Sequence, residues 1–151
     1  MTPSDPLRDA ETGLLNEAYF RAALPNRVAT ARRVLRPISI VLVKLSDATA
    51  AAQVAHGLLD TLRESDSACR LDDGCIALVL EDTPENGAVW TMERLRRLLA
   101  DQGSSVIVWA GVASYPAHAL EAPDLLRLAE GALADACQWT DQSRIEVALP
   151  E

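Results

Sequence analysis

Arg63 and Asp66, in the segment Arg63-Glu64-Ser65-Asp66, place a guanidinium and a carboxylate three residues apart. A guanidinium can donate two parallel hydrogen bonds to a small anion such as a phosphate, and a carboxylate can accept hydrogen bonds. The spacing alone is weak evidence, because Arg70-Leu71-Asp72-Asp73 also fits it. The alternative is that Arg63 and Asp66 only cap the end of a helix.

The overall charge favours a small ligand over a polymer. The formal net charge is −8, and Lys44 is the only lysine among 14 lysine and arginine residues. An acidic chain repels nucleic acid unless a dense basic stripe overcomes that field, and the sequence contains no such stripe. We therefore expect no nucleic-acid binding and, at most, a local arginine cluster for an anionic ligand.

The apolar segments and cysteines predict a cytoplasmic protein. No apolar run approaches the roughly 20 residues that cross a bilayer, so we expect no membrane insertion. Cys69, Cys75 and Cys137 lack metal-ligand spacing, and we expect three free thiols. If Cys69 and Cys75 lie on two arms of one hairpin, we expect them on opposite faces.

Hydrophobic periodicity predicts alternating helices and strands. Asp-Gly within Asp72-Asp73-Gly74, between two apolar runs, is a strong hairpin signal. Thr83 and Pro84 suit an N-cap and first helical residue. The predicted helices are 17–35, 50–63, 83–102 and one from Pro123 to about Ala136, and the predicted strands are 38–43, 67–71, 75–80, 106–113 and an edge strand at 144–149.

This element order predicts one α/β domain. It consists of a mixed five-stranded sheet flanked by helices, with a ferredoxin-like β-α-β-β-α-β core. The length of 151 residues suits a single domain, and no linker or internal repeat divides it. Fold alone does not give function.

The segment Asp9-Ala10-Glu11-Thr12-Gly13-Leu14-Leu15-Asn16, followed by Phe20, resembles the D-x-L-T-G-L-x-N signature that opens GGDEF diguanylate cyclase domains. Later segments follow the family's order: 37–45 is similar to its first strand, Glu93-Arg94-Leu95-Arg96 to its A-E-R-L-R helix, and 106–113 to its next strand. The resemblance covers about residues 9–147, so 1–151 is expected to be a single GGDEF-like domain with the nucleotidyl cyclase-like fold.

The resemblance also implies that the catalytic residues of the family are missing. The family joins two GTP molecules into cyclic di-GMP with divalent metals held by carboxylates. Those positions match Lys44, Ser46 and Gly74, and Cys75 stands at the glutamate of the motif. The guanine-binding stretch is about a dozen residues too short, and Cys137 matches a phosphate-binding lysine. We therefore expect a degenerate domain that is not an enzyme and has no metal or cofactor.

The sequence matches a second site of the family, its R-x-x-D site, more closely than it matches the catalytic site. Family members carry an R-x-x-D motif that binds cyclic di-GMP as an inhibitor, and Arg63 and Asp66 have its spacing from the hairpin. Arg94 matches a further arginine near that site. The resemblance thus implies a cyclic di-GMP receptor acting through Arg63, Asp66 and Arg94. The alternative is that Arg94 is one of several exposed helical arginines and the site binds nothing.

Partners and competing functions follow from these expectations. A bacterial signalling receptor would pass its state to a partner protein or to further domains of a longer protein, and it could pair with a second copy. The main competitor is a pseudo-enzyme scaffold for dimerisation or docking that binds no nucleotide; an active cyclase is the third hypothesis. We also expect Lys44 to approach Asp72 or Asp73, in place of a metal, or else to point to solvent.

Overall fold

A computed structural model describes residues 5–150 of the chain. Within that range helices and strands alternate around one sheet. The elements are β1 Leu15–Asn16, α1 Glu17–Val34, β2 Ile38–Leu45, a 3-10 turn Ala48–Ala50, α2 Ala51–Thr61, β3 Ser67–Arg70, β4 Ile76–Glu81, α3 Glu85–Asp101, β5 Val108–Tyr115, α4 Ala122–Ala136 and β6 Arg144–Val147.

The sheet has the strand order β1-β3-β4-β2-β5-β6. Strand β2 is central and runs antiparallel to both β4 and β5, while β6 pairs parallel to β5 at one edge. The predicted α/β fold with a mixed sheet is confirmed, with six strands instead of five. The additional strand is β1, whose two residues are too few to show an alternating pattern; it forms because Leu15 and Asn16 pair with β3.

Helices cover both faces of the sheet. On one face, Phe20 of α1 and Leu125 of α4 are buried against Ile40 and other strand residues. On the opposite face, α2 and α3 pack on Val41 and its neighbours. Successive residues of a strand point to opposite faces, so the continuous apolar run of β2 supplies both cores.

Helix α4 approaches the sheet closely at Gly111 of β5. A side-chain Cβ at this position would lie 2.3 Å from the backbone nitrogen of Leu133. Any larger residue would therefore push α4 away from the sheet. This close contact closes the core on the face that α4 shares with α1.

The β3–β4 hairpin is confirmed, with the turn at Asp72-Asp73-Gly74. The expectation for the cysteines' faces is wrong. Cys69 lies opposite Ala77, and Cys75 is two residues before Ala77, so Cys69 and Cys75 project to the same face. Cys69, Cys75 and Cys137 are all free thiols, as predicted.

The start of α3 also differs from the prediction. The helix begins at Glu85, and Pro84 occupies the N-cap position without a side-chain capping bond. The Thr83 hydroxyl donates a hydrogen bond to the Glu81 carbonyl, 2.8 Å away, and so does not cap the helix. Across residues 5–150, no helix is both long and apolar enough to cross a bilayer.

Candidate functional site

Arg63 and Asp66 form a closed turn between α2 and β3. The Asp66 backbone N–H donates to the Arg63 carbonyl at 3.0 Å, and the Arg63 N–H donates to Asp66 Oδ2 at 3.0 Å. A carboxylate that accepts a backbone hydrogen bond three residues earlier fixes such a turn locally. The R-x-x-D spacing therefore brings the two side chains together in one turn.

The Asp66 carboxylate ties this turn to the end of β4. Its side chain is only 5% exposed, and Oδ1 accepts the Glu81 backbone N–H at 3.2 Å. Its Oδ2 lies 3.5 Å from the Arg63 Nε. Because the carboxylate is held by backbone groups on both sides, it is a fixed negative charge beside the arginine.

The Arg63 guanidinium is oriented but remains open to solvent. Its Nη2 donates to the Glu81 carbonyl and to Thr83 Oγ1, the latter at 2.7 Å. The side chain is 56% exposed, and within residues 5–150 its Nη1 donates no hydrogen bond. A planar donor fork held at one end can bind a phosphate or a guanine edge with the other.

Arg94 lies on α3, which packs antiparallel to α2. Gln53 near the start of α2 donates to Gln102 at the end of α3 at 3.3 Å. The Arg94 guanidinium carbon lies 5.6 Å from the centre of the Trp90 ring. In the described part of the chain Arg94 forms no hydrogen bond with Arg63 or Asp66, so the structure directly pairs only those two of the three predicted site residues.

A second region of interest is a cleft of about 590 Å³ at the other end of β4. It opens beside the hairpin, between the end of β2 and helices α1 and α4. Its walls combine apolar and charged side chains. The lining residues are Glu17, Phe20, Arg21, Leu42, Lys44, Leu71, Asp73, Cys75, Leu126, Glu130, Leu133, Ala134 and Cys137.

The donors around this cleft do not fit the divalent cations that diguanylate cyclases use. Such cations need hard oxygen ligands, yet Lys44 contributes an ammonium and Gly74 has no side chain. The Asp73 carboxylate accepts the Cys75 N–H at 2.9 Å, and Glu17 accepts the Asp72 N–H at 3.2 Å. Across residues 5–150 no group of three or more His, Cys, Asp or Glu side chains could hold a metal ion.

The backbone conformation at position 74 favours glycine over a residue with a carboxylate side chain. Gly74 has φ +91°, a conformation that side-chain-bearing residues rarely adopt. The turn closes with the Gly74 N–H donating to the Leu71 carbonyl at 2.9 Å. An aspartate at position 74 would therefore strain this turn as it stands.

The expected contact of Lys44 with Asp72 or Asp73 is not found. Lys44 lines the same cleft as Asp73, but within the described residues it forms no ion pair with either aspartate. The Asp73 carboxylate instead accepts the Cys75 N–H within the turn itself. Lys44 is exposed near the end of β2, which is the alternative that the sequence left open.

The Cys75 thiol lines the cleft and is partly buried. Burial raises the pKa of the Cys75 thiol to about 11, and the nearby Asp73 carboxylate acts in the same direction. The Lys44 ammonium opposes this rise without cancelling it. At neutral pH Cys75 is thus a neutral thiol, which is a weak nucleophile and a poor metal ligand.

Sequence reasoning missed the residues that support these sites. Arg70 lies 3.6 Å from Asp9 and 3.7 Å from Glu11, so it anchors the opening loop to the hairpin. Thr83 was expected to cap a helix, yet its hydroxyl receives the Arg63 guanidinium. The contact of Arg70 with Asp9 had a sequence signal, because both residues stand in segments that match the family. No sequence signal indicated the contact of Arg63 with Thr83.

Comparison with known proteins gives the chain's family. The family model described as "Diguanylate cyclase, GGDEF domain" matches residues 50–141. That match begins after the opening motif and after Lys44. A sequence comparison with curated proteins found no match.

Solved structures extend the likeness to almost the whole chain. The GGDEF domain of TpbB (YfiN) from Pseudomonas aeruginosa has a TM-score of 0.82 at 22% identity, with 93% of this chain and 94% of that chain covered. The GGDEF domain of DgcB from Caulobacter crescentus, solved with c-di-GMP, has a TM-score of 0.82 at 16% identity, covering 97% and 98%. The active GGEEF domain of a Vibrio cholerae diguanylate cyclase has 0.78 at 19%, covering 91% and 99%.

At these identities the structural matches establish the fold, and the family model, which spans more than half of the sequence, establishes the relationship. Together they agree with the motif at residues 9–16. The chain belongs to the GGDEF domain family.

Proposed function

We propose that this chain is a catalytically inactive GGDEF domain that binds cyclic di-GMP through Arg63, Asp66 and Arg94. In this proposal residues 1–151 form one cytoplasmic signalling domain, which passes its ligand state to a partner protein or to attached domains. The observation that carries the proposal is the Arg63 guanidinium, anchored by Glu81 and Thr83 yet 56% exposed beside a fixed carboxylate.

The chemistry of that pair suits the ligand. Cyclic di-GMP offers two phosphates and two guanines, and an arginine fork can bind either group with two parallel hydrogen bonds. The Asp66 carboxylate is already fixed by the Glu81 N–H, so ordering it for a ligand has little entropic cost. In a chain of net charge −8, a local arginine site is what such an anion requires.

The proposed inactivity rests on the cleft. Lys44, Gly74 and Cys75 stand where the family's chemistry uses carboxylates, and the neighbouring Asp73 carboxylate accepts the Cys75 N–H within the turn. Without carboxylates at the family's metal-binding positions, the triphosphate charge and the attacking hydroxyl would lose their main electrostatic stabilisation. That loss would cost several orders of magnitude in rate.

Some structurally similar proteins support the ligand assignment by analogy. The DgcB domain is described in complex with c-di-GMP, and another microbial GGDEF domain is described in a novel interaction mode with the same molecule. These statements concern those proteins. For this chain the assignment depends on Arg63 and its surroundings.

The second candidate is a scaffold that binds no nucleotide. It is favoured by the bonds from Arg63 Nη2 to Glu81 and Thr83, which give the arginine a structural role without any ligand. One similar diguanylate cyclase, SiaD from Pseudomonas aeruginosa, is described in complex with its activator SiaC, which illustrates docking on a protein of this family.

Calorimetric titration separates the two candidates. Cyclic di-GMP titrated into the protein should give saturable heat at concentrations up to tens of micromolar, and GTP should serve as the control nucleotide. Absence of heat with cyclic di-GMP over that range would favour the scaffold and reject the receptor.

An activity assay tests the proposed inactivity separately. The protein is incubated with GTP and either magnesium or manganese, and cyclic di-GMP is quantified by chromatography. We expect no product above a sample without protein, because the cleft offers no suitable set of metal ligands. Product above that background would show that the domain is an active cyclase.

A further inference from the structure

Trp90 is an unusually exposed aromatic side chain next to the candidate ligand site. Its side chain lies on α3 and is 60% exposed. A single exposed apolar residue needs no explanation by itself. Here, however, the indole lies under the guanidinium of Arg94, one of the three candidate ligand-binding residues.

The path from Arg63 to Trp90 is short. Arg63 Nη2 binds Thr83 Oγ1 at 2.7 Å, and a Cβ placed on Gly87 would lie 2.9 Å from Thr83 Cγ2. Trp90 follows Gly87 by three residues, which is a neighbouring position on the same helix face. The Cα–Cβ bonds of a helix tilt towards its N-terminus, which in α3 is the end next to Thr83.

Arg94 continues the same face one turn further. It lies four residues after Trp90, and its guanidinium is 5.6 Å from the ring centre, within cation–π range. That contact restricts the indole while leaving most of it exposed to solvent. This face of α3 therefore presents a planar aromatic ring with Arg94 over it, and the N-terminal end of the same helix follows Thr83, which binds Arg63.

We propose that Trp90 is the surface on which a purine base of the bound ligand stacks, while the flanking arginines bind its edge and its phosphate. This inference rests on the proposed binding of cyclic di-GMP and assigns a specific contact within it. An indole supplies a large flat apolar surface, and base stacking on an aromatic side chain is strong enough to dominate affinity at a single-base site. Arginines beside it supply the hydrogen bonds that stacking lacks.

The chain contains a matched control tryptophan. Trp139 is 43% exposed, and Arg144 lies 4.5 Å from its ring centre, so it has the same kind of surroundings as Trp90. It follows α4 instead, and its carbonyl accepts the Trp109 indole N–H at 2.9 Å. A change at Trp139 alters an exposed arginine-covered indole without touching α3.

Calorimetry on Trp90→Leu, Trp90→Phe and Trp139→Leu tests the proposal. We expect Trp90→Leu to weaken cyclic di-GMP binding by about tenfold or more, Trp90→Phe by about threefold or less, and Trp139→Leu not at all. Unchanged affinity in Trp90→Leu, with a wild type that binds, would overturn the stacking role and leave the receptor proposal standing. A wild type that does not bind would overturn both.

A spectroscopic measurement avoids dependence on the folding of Trp90→Leu. The chain has three tryptophans, so the variant Trp109→Phe/Trp139→Phe retains only Trp90 as an indole fluorophore. Stacking of a base on that ring should quench its emission along the calorimetric binding curve. Binding detected by calorimetry with no change in Trp90 emission would refute the contact.

Discussion

The two ends of strand β4 differ in how their charged side chains are held. At its start, around Cys75, the carboxylates of Asp73 and Glu17 accept hydrogen bonds from backbone N–H groups of the hairpin, and Lys44 forms no ion pair with Asp72 or Asp73 in residues 5–150. At its end, around Glu81, a carboxylate and two carbonyl or hydroxyl acceptors hold an arginine that stays half exposed. The two regions are separated by a six-residue buried strand, or roughly 17 Å.

The difference lies in what each end leaves available to a ligand. Near the hairpin, the Asp73 and Glu17 carboxylates bind backbone N–H groups and the Cys75 thiol is partly buried. Near Glu81, the protein fixes the position of Arg63 but leaves part of its donor capacity open. In our proposal the domain departs from the family's motif at one end of the strand and keeps a ligand site at the other, and the apolar residues between them belong to the core.

The largest expected effect is on ligand binding in Arg63→Ala. Removing two charge-assisted hydrogen bonds should weaken cyclic di-GMP binding by at least about a hundredfold in calorimetry. The loss of the Glu81 and Thr83 contacts should also lower the free energy of unfolding by about 1 kcal/mol, without unfolding the protein at 25 °C. Arg33→Ala, at an exposed position on α1, is the control. Equal binding by wild type and Arg63→Ala would place the ligand elsewhere.

The next effect concerns the reactivity of Cys75 at the cleft. Burial raises the pKa of this thiol from 9.0 to about 11, so at pH 8 its thiolate fraction is about a hundredth of that in the unfolded chain. Because a thiolate of higher pKa is also more nucleophilic, we expect alkylation of Cys75 by iodoacetamide to be slower in the native protein by about tenfold, as followed by peptide mass spectrometry. Protein unfolded in urea provides the reference. Similar rates in both states would show that the cleft is well solvated.

A smaller effect is expected for Arg94→Ala. This arginine shares no hydrogen bond with Arg63 or Asp66 in the described part of the chain, and its contact is with Trp90. Cyclic di-GMP binding should weaken by about tenfold or less, since one solvent-exposed charged contact is lost. Calorimetry alongside Arg97→Ala, a nearby exposed arginine on α3, gives the comparison. A loss as large as that of Arg63→Ala would make Arg94 an equal partner in the site.

Gly74→Ala tests whether the hairpin turn requires glycine. At φ +91° an alanine should destabilise the protein by about 1 kcal/mol, measured as a lower urea midpoint. Gly131→Ala is the matched control, because Gly131 lies within α4 and a Cβ there meets nothing within 4 Å. In a helix that substitution should stabilise by up to about 1 kcal/mol. If Gly74→Ala and Gly131→Ala changed the free energy of unfolding in the same direction, the proposed role of the turn would be contradicted.

The smallest effect is the pH dependence that Glu17 contributes. Hydrogen bonds from Arg21 and from the Asp72 N–H lower the pKa of Glu17 below 4.5. Its stabilising contribution is therefore present above about pH 4.5 and is lost as the pH falls through the lowered pKa. Glu17→Gln should be less stable than wild type by about 0.5 kcal/mol at pH 7, and the difference should shrink by pH 3 in thermal melts. A difference independent of pH would exclude the ionised carboxylate as its source.

The sequence was sufficient for the elements whose signals are local. The Asp72-Asp73-Gly74 turn joins adjacent strands, and apolar periodicity marks the helices and the buried strands because each pattern reflects one face or one turn. The motif at 9–16 indicated the family. Arg63 and Asp66 lie in one turn because they are only three residues apart in the sequence.

Other features depended on residues that are distant in sequence. β1 exists only because Leu15 and Asn16 reach β3, and Thr83 receives a guanidinium from twenty residues earlier. The shared face of Cys69 and Cys75 follows from the hairpin register, which neither strand specifies alone. Periodicity carries no information about such pairings.

The sequence by itself determined the α/β fold, the order of its main elements, the family and the residue types at both ends of β4. Only the tertiary structure decided that Lys44 does not pair with the turn aspartates, that Gly74 adopts positive φ, and that Arg63 is anchored yet exposed. The physical reason is that residue types and local spacing fix which groups can interact, whereas competition among neighbouring donors and acceptors fixes which of them do.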